Sequence, residues 1–113
     1  MNKTRTELGK ISRVHFGITE NCQFGLSLTF SGKNFSVGAT VIGGWAYSHI
    51  SVGKSRGWTE EDRSLMMITM CERINTILAD AKKTDIKDLV GVPVELTTIG
   101  SILGDWRILT EVL

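Results

Sequence analysis

The chain predicts an α+β domain: a five-stranded antiparallel sheet in the order β-β-β-α-β-β, with one long helix packed on one face. Three observations carry the prediction. Phe24, Leu26, Leu28 and Phe30 alternate with Gly25, Ser27 and Thr29, and Phe35, Val37, Ala39 and Val41 alternate with Ser36, Gly38 and Thr40, both with the period of a half-buried strand. From Glu60 to Lys83, apolar residues recur at three-and-four spacing between an acidic start and a basic end, which is the pattern of an amphipathic helix.

The elements follow in order. Residues 1–9 read as a flexible arm, and residues 10–113 as a single domain with one core, because a chain of 113 residues buries roughly two-thirds of its unfolded surface. Strand signals begin at Ile11, with Val14, Phe16 and Ile18 alternating against His15 and Gly17. Ile11 falls out of phase with that set, and a bulge near Ser12 and Arg13 reconciles them. The polar turn Ser31 to Asn34 joins the next two strands into a meander, with Phe35, Val37, Ala39 and Val41 expected inward. The outward residues Gly25, Ser27, Thr29, Ser36, Gly38 and Thr40 are unusually small, as where backbone approaches closely, where copies associate, or where a ligand has its floor.

The helix has Thr59 as N-cap, Glu60, Glu61 and Asp62 at its positive end, and Lys82 and Lys83 at its negative end. Its expected buried stripe is Met67, Met70, Cys71, Ile74, Ile77, Leu78 and Ala81. Leu65, Met66 and Ile68 widen the apolar surface near its start and predict a subunit contact, hence a homo-oligomer. Thr84 or Asp85 caps a short turn through Leu89, which Gly91 and Pro93 end. Val94, Leu96 and Thr98 then alternate with Glu95 and Thr97, GSILG turns the chain, and WRILTEVL forms the last strand.

Thirteen basic and twelve acidic residues leave a net charge of +1, which argues against long nucleic acid and anionic membranes as partners but leaves room for a small anion. The polar start MNKTRTELGK reads as neither a signal peptide nor an anchor, so a cytoplasmic protein with Cys22 and Cys71 as reduced thiols is expected. His15 and His49 stand in no metal-ligand spacing, so no metal and no cofactor is expected. Gly53, Lys54 and Ser55 lack the first glycine and the following helix of a phosphate loop. Cys71 on an apolar stripe reads as a small core residue rather than a nucleophile, and no catalytic residues are assigned. Glu72 and Arg73 read as decoration of the exposed helix side.

The connection from Gly43 to Trp58 carries Trp45, Tyr47, His49, Lys54, Arg56 and Trp58 within fourteen residues. Aromatic faces stack on bases and cations neutralise phosphates, so these residues suit a nucleotide-sized ligand. With Arg63, which can also pair with Glu60, they are the candidate ligand-binding set. The plainer alternative is that Trp45 and Trp58 plug the ends of the core while Lys54 and Arg56 solvate a loop tip.

The segments FGLSLTF, WTEEDR and DWRILTEVL, with VGVPVEL between them, resemble a family of small uncharacterised proteins encoded by bacteriophages and prophages, over Lys10 to Leu113. The chain departs from that pattern at AYSHISVGKS, residues 46–55. The resemblance implies a phage accessory protein in the cytoplasm of an infected bacterial cell. By analogy of class, such a protein counters host immunity by sequestering a small nucleotide signal, a cyclic oligonucleotide or a cyclic ADP-ribose, without enzymatic activity. The alternative is a protein-binding inhibitor of a host defence complex, such as an anti-CRISPR. A third reading is an enzyme that degrades a nucleotide signal, with His49 as general acid or base.

Overall fold

The alternations and the capped helix give the expected order of elements in a computed structural model, which describes residues 4–18, 23–32, 36–46, 59–100 and 102–113, with backbone alone at 23, 36–41 and 44–46. The strands are β1 (Thr4–Ile18), β2 (Gln23–Gly32), β3 (Ser36–Ala46), β4 (Pro93–Ile99) and β5 (Ile102–Ile108), and the helix α1 is Glu60–Ala81. All neighbouring strands are antiparallel, and the sheet order is β3-β2-β1-β4-β5. The sheet is curled: its end strands β3 and β5 approach one another, and α1 lies against β3 while also touching β5.

β1 is the central strand, and it serves two neighbours in succession. Gly9 to Ile18 pair with β2, whereas Thr4 to Lys10 pair with β4. The bulge expected near Ser12 and Arg13 is present: Ile11 stands opposite Phe30 and Arg13 opposite Thr29, leaving Ser12 as the extra residue. The Ser12 hydroxyl donates to the Thr29 carbonyl at 3.1 Å, which anchors the bulge. Residues 4–9 correct the expectation of a flexible arm. Their polar sequence carries no apolar alternation, yet their backbone pairs with Val94 to Ile99, and backbone pairing rather than side-chain hydropathy makes them a strand.

A second correction concerns β3. The register pairs Val37 with Phe30 but Thr40 with Leu28 and Ile42 with Leu26, so Ala39 and Val41 stand opposite Thr29 and Ser27 rather than sharing the face of Leu26 and Leu28. An irregularity beside Gly38, between the pairs of Thr29 and Phe30, reverses the phase of the strand, and Ile42 takes the buried position. Phe35 lies outside the described residues.

The core joins Ile11, Leu26, Leu28, Phe30 and Ile42 of the first three strands to Val94, Leu96 and Ile108 of the last two, and Met70, Ile77 and Ala81 of α1 cover them. Each fully buried aliphatic or aromatic side chain contributes roughly 1.5–3 kcal/mol of transfer free energy. Met67, Ile74 and Leu78 pack at the margin of this core as expected. Cys71 is an exposed free thiol, so its assignment to the buried stripe is overturned: α1 rests mainly on β3, and the stripe it buries is narrower than a broad sheet would demand. Leu65 and Ile68 are exposed, 62% and 55% respectively.

Local chemistry closes the ends. Thr59 and Asp62 form a reciprocal capping box, each side chain accepting from the other's backbone N–H at 3.0 Å. Lys82 ends α1 in the left-handed region at φ 58°. Asp85 caps a single 3-10 turn, Ile86–Leu89, which buries Leu89 beneath the sheet. The β4–β5 hairpin turns at Gly100, φ 64°, so Ile99 faces Ile102 and the last strand begins before Trp106. That strand stops at Ile108, not at the end of WRILTEVL. The Leu109 N–H donates to the Pro93 carbonyl at 3.1 Å, and Thr110–Val112 coil into a second 3-10 turn. Among the described residues no helix is long and apolar enough to cross a membrane.

Candidate functional site

The loop set inferred from sequence falls largely beyond what the structure describes. Tyr47, His49, Lys54, Arg56 and Trp58 lie outside the described residues, and Trp45 is described only as backbone, one residue before Ala46, which pairs with Gln23. Arg63 lies in the first turn of α1 and forms an ion pair with Glu60, as the i,i+3 spacing allows. Cys22 and the polar turn 33–35 also lie outside the described residues. The small-residue face is explained in part: a side chain at Gly25 would collide with the Ile42 carbonyl and the Gly43 Cα, so close strand approach selects that glycine.

What the described residues do assemble is a groove of about 330 Å³ at the seam between α1 and β5, lined by Glu72, Arg73, Thr76 and Ile77 from the helix and by Asp105 and Trp106 from the strand. The helix supplies its share because positions i, i+1, i+4 and i+5 flank one side of a helix, here the side between the buried Ile77 and open solvent. The strand supplies Trp106 because it lies opposite Leu96 on the core side of β5, sharing that face with Ile108.

Two contacts fix the strand wall of this groove. Trp106 packs on the buried Phe30, ring centroids 5.0 Å apart and tilted by 43°, which holds the indole in place. The Asp105 carboxylate accepts the Trp106 backbone N–H at 2.8 Å through one oxygen, which restrains it where it lines the groove. On the helix wall, the Thr76 hydroxyl donates to the Glu72 carbonyl at 3.0 Å. The Glu72 carboxylate and the Arg73 guanidinium form no ion pair among the described residues, and both are exposed. The groove thus offers an aromatic surface, a free forked donor and two carboxylates within one concavity.

Arg63 is not part of it. Ten residues separate Arg63 from Arg73, about 15 Å along the axis at 1.5 Å per residue. Sequence reasoning passed over Glu72, Arg73 and Asp105 because nothing local distinguishes them from a solvated surface; Trp106 was legible as an inward strand residue, but not as the wall of a groove. A second cluster, on the β4–β5 surface, is structural in character: Arg107 donates to Glu95 at 3.0 Å and to both oxygens of Glu111 at 2.9 and 3.1 Å. The Arg107 hydrogen bonds hold the Glu111 carboxyl down at about 2, well below the usual glutamate range, and Arg107 is correspondingly raised.

Among the described residues no group of three or more His, Cys, Asp or Glu is arranged to hold a metal ion. Compared with family models, with curated proteins and with solved structures, the chain matches none.

Proposed function

We propose that this protein is a phage accessory protein that binds a small nucleotide signal, of the cyclic oligonucleotide or cyclic ADP-ribose type, and sequesters it without cleaving it. The observation that carries the reading is the α1–β5 groove, where Trp106 offers a ring for stacking and Arg73 offers an unengaged guanidinium. The cations and aromatic residues of the 45–58 connection add to it from the sequence side. Calorimetry against cyclic dinucleotides, cyclic trinucleotides and cyclic ADP-ribose isomers tests it, with release of intact ligand on denaturation as the expected result. Arg73→Ala, a change at an exposed side chain that leaves stability within about 0.5 kcal/mol, is expected to weaken binding at least several-fold. Absence of heat with every one of these compounds overturns the reading.

A protein-binding inhibitor of a host defence complex is the second reading, favoured by Leu65 and Ile68, which stand exposed one helical turn apart. The double substitution Leu65→Glu and Ile68→Glu separates the two. It leaves nucleotide binding intact under the first reading and abolishes recovery of a stoichiometric host partner under the second.

A further inference from the structure

The lining of the α1–β5 groove carries more information than its outline, and the inference drawn from it rests on the nucleotide reading above. Its charged lining comprises the carboxylates of Glu72 and Asp105 against the single cation of Arg73, so a phosphate seated at its centre would meet more repulsion than attraction. The part of a nucleotide that suits such a lining is therefore the base. At about 330 Å³ the groove lies at the low end of ligand-sized pockets, which run from roughly 300 to 1,000 Å³.

We infer that the groove selects a guanine base over adenine. Guanine presents N1–H and the N2 amino group as a forked pair of donors on its Watson–Crick edge, and O6 and N7 as a pair of acceptors on the adjoining Hoogsteen edge. Carboxylates accept the first pair, and a guanidinium fork donates to the second. The groove holds both reading groups beside one aromatic ring: Asp105 and Glu72 for the donor edge, Arg73 for O6 and N7, and Trp106 for the ring face. Asp105 is the better restrained carboxylate, because its bond from the Trp106 backbone N–H limits its rotation while leaving lone pairs for the base. Adenine inverts the pattern at N1 and at the 6-position and keeps only the N7 acceptor. Its N1 lone pair would face a carboxylate and its N6 amino group would face Arg73, leaving acceptor against acceptor and donor against donor.

Calorimetry with cyclic di-GMP and cyclic di-AMP, on the wild-type chain and on Asp105→Asn and Glu72→Gln, tests the inference. Cyclic di-GMP is expected to bind at least about tenfold tighter than cyclic di-AMP, the scale of one bidentate base contact. At least one of the two amide variants is expected to reduce that ratio to near one, by weakening cyclic di-GMP and by relieving the repulsion between the carboxylate and adenine N1. Circular dichroism on each variant confirms that these exposed substitutions leave the fold intact. Equal wild-type affinity for the two compounds overturns guanine selection and leaves nucleotide binding standing. A guanine preference that survives both variants overturns the assignment of the reading to this groove. Failure of both compounds and of every other nucleotide overturns this inference together with the reading beneath it, and displacement of bound cyclic di-GMP by millimolar arginine amide alone, with no base preference, assigns the groove to guanidinium groups instead.

Discussion

Gly9 shows how much a single position can be decided by what passes on either side of it. It stands opposite Gly32 of β2 and also opposite Val94 of β4, where β1 is flanked by both neighbours. A Cβ there would lie 2.5 Å from the Ser31 carbonyl oxygen and 2.8 Å from Leu96 Cδ1, and the carbonyl belongs to a ladder that cannot give way cheaply. Gly9→Ala is expected to destabilise the fold by about 1–3 kcal/mol, the usual range for overpacking, measured as a lower urea midpoint at unchanged slope. Nothing in the sequence marks this glycine, since the two neighbours that crowd it come from segments far apart in the chain. The same reason hid the groove: Arg73 and Trp106 meet only when helix and last strand are brought together, whereas the capping residue Thr59 was legible because its partner Asp62 is three residues away.

The helix and the third strand illustrate what periodicity conveys and what it leaves open. α1 was legible from its Thr59 cap and acidic first turn, and Met70, Ile77 and Ala81 occupy the buried line as spaced, whereas its basic end was not: Lys82 is the C-cap, Lys83 lies beyond it, and the last turn holds no basic residue. Cys71 lies about 100° round the axis from Met70, at the margin of a stripe whose width is set by the strand beneath it rather than by the helix itself. Thr59→Ala removes half of the capping box and is expected to cost about 1 kcal/mol, read as a drop of several degrees in Tm. Asp62→Asn, which keeps an acceptor for the Thr59 N–H, is expected to cost less. In β3 the alternation was real but its phase was not legible, because the irregularity beside Gly38 exchanges faces without disturbing the apolar and polar rhythm.

Across the whole molecule, the order of elements and the antiparallel sheet were legible, while the way the sheet closes was not. The polar residues 4–9 hold β4 and β5 against β1, and only their backbone reveals it. The far end of the sheet is tied off by Arg107, which bridges Glu95 of β4 to Glu111 of the C-terminal turn, and Lys82 at the end of α1 donates to the Leu113 carbonyl at 3.0 Å. Because the folded state holds Glu111 at about 2, below the usual glutamate range, this tie contributes above the ordinary titration of a glutamate and is lost as pH falls through about 2. Melting curves from pH 6 to pH 2 are expected to show a decline in Tm below about pH 4.5 that is shallower in Glu111→Gln. The difference is expected to be small and to shrink with added salt, because all three side chains are solvent-accessible.

The extra residue at Ser12 gives the central strand something like a reading frame. Odd-numbered positions before it and even-numbered positions after it share the face of Phe30, Leu28 and Leu26, as Ile11 gives way to Val14 and Phe16, the last of them half exposed. Losing or gaining one residue inside either stretch would invert the positions between it and one end of that stretch, whereas a change of two would merely shorten or lengthen the ribbon. Length variation tolerated in this strand therefore comes in even steps, and a lone odd step survives only if it abolishes or recreates the bulge itself.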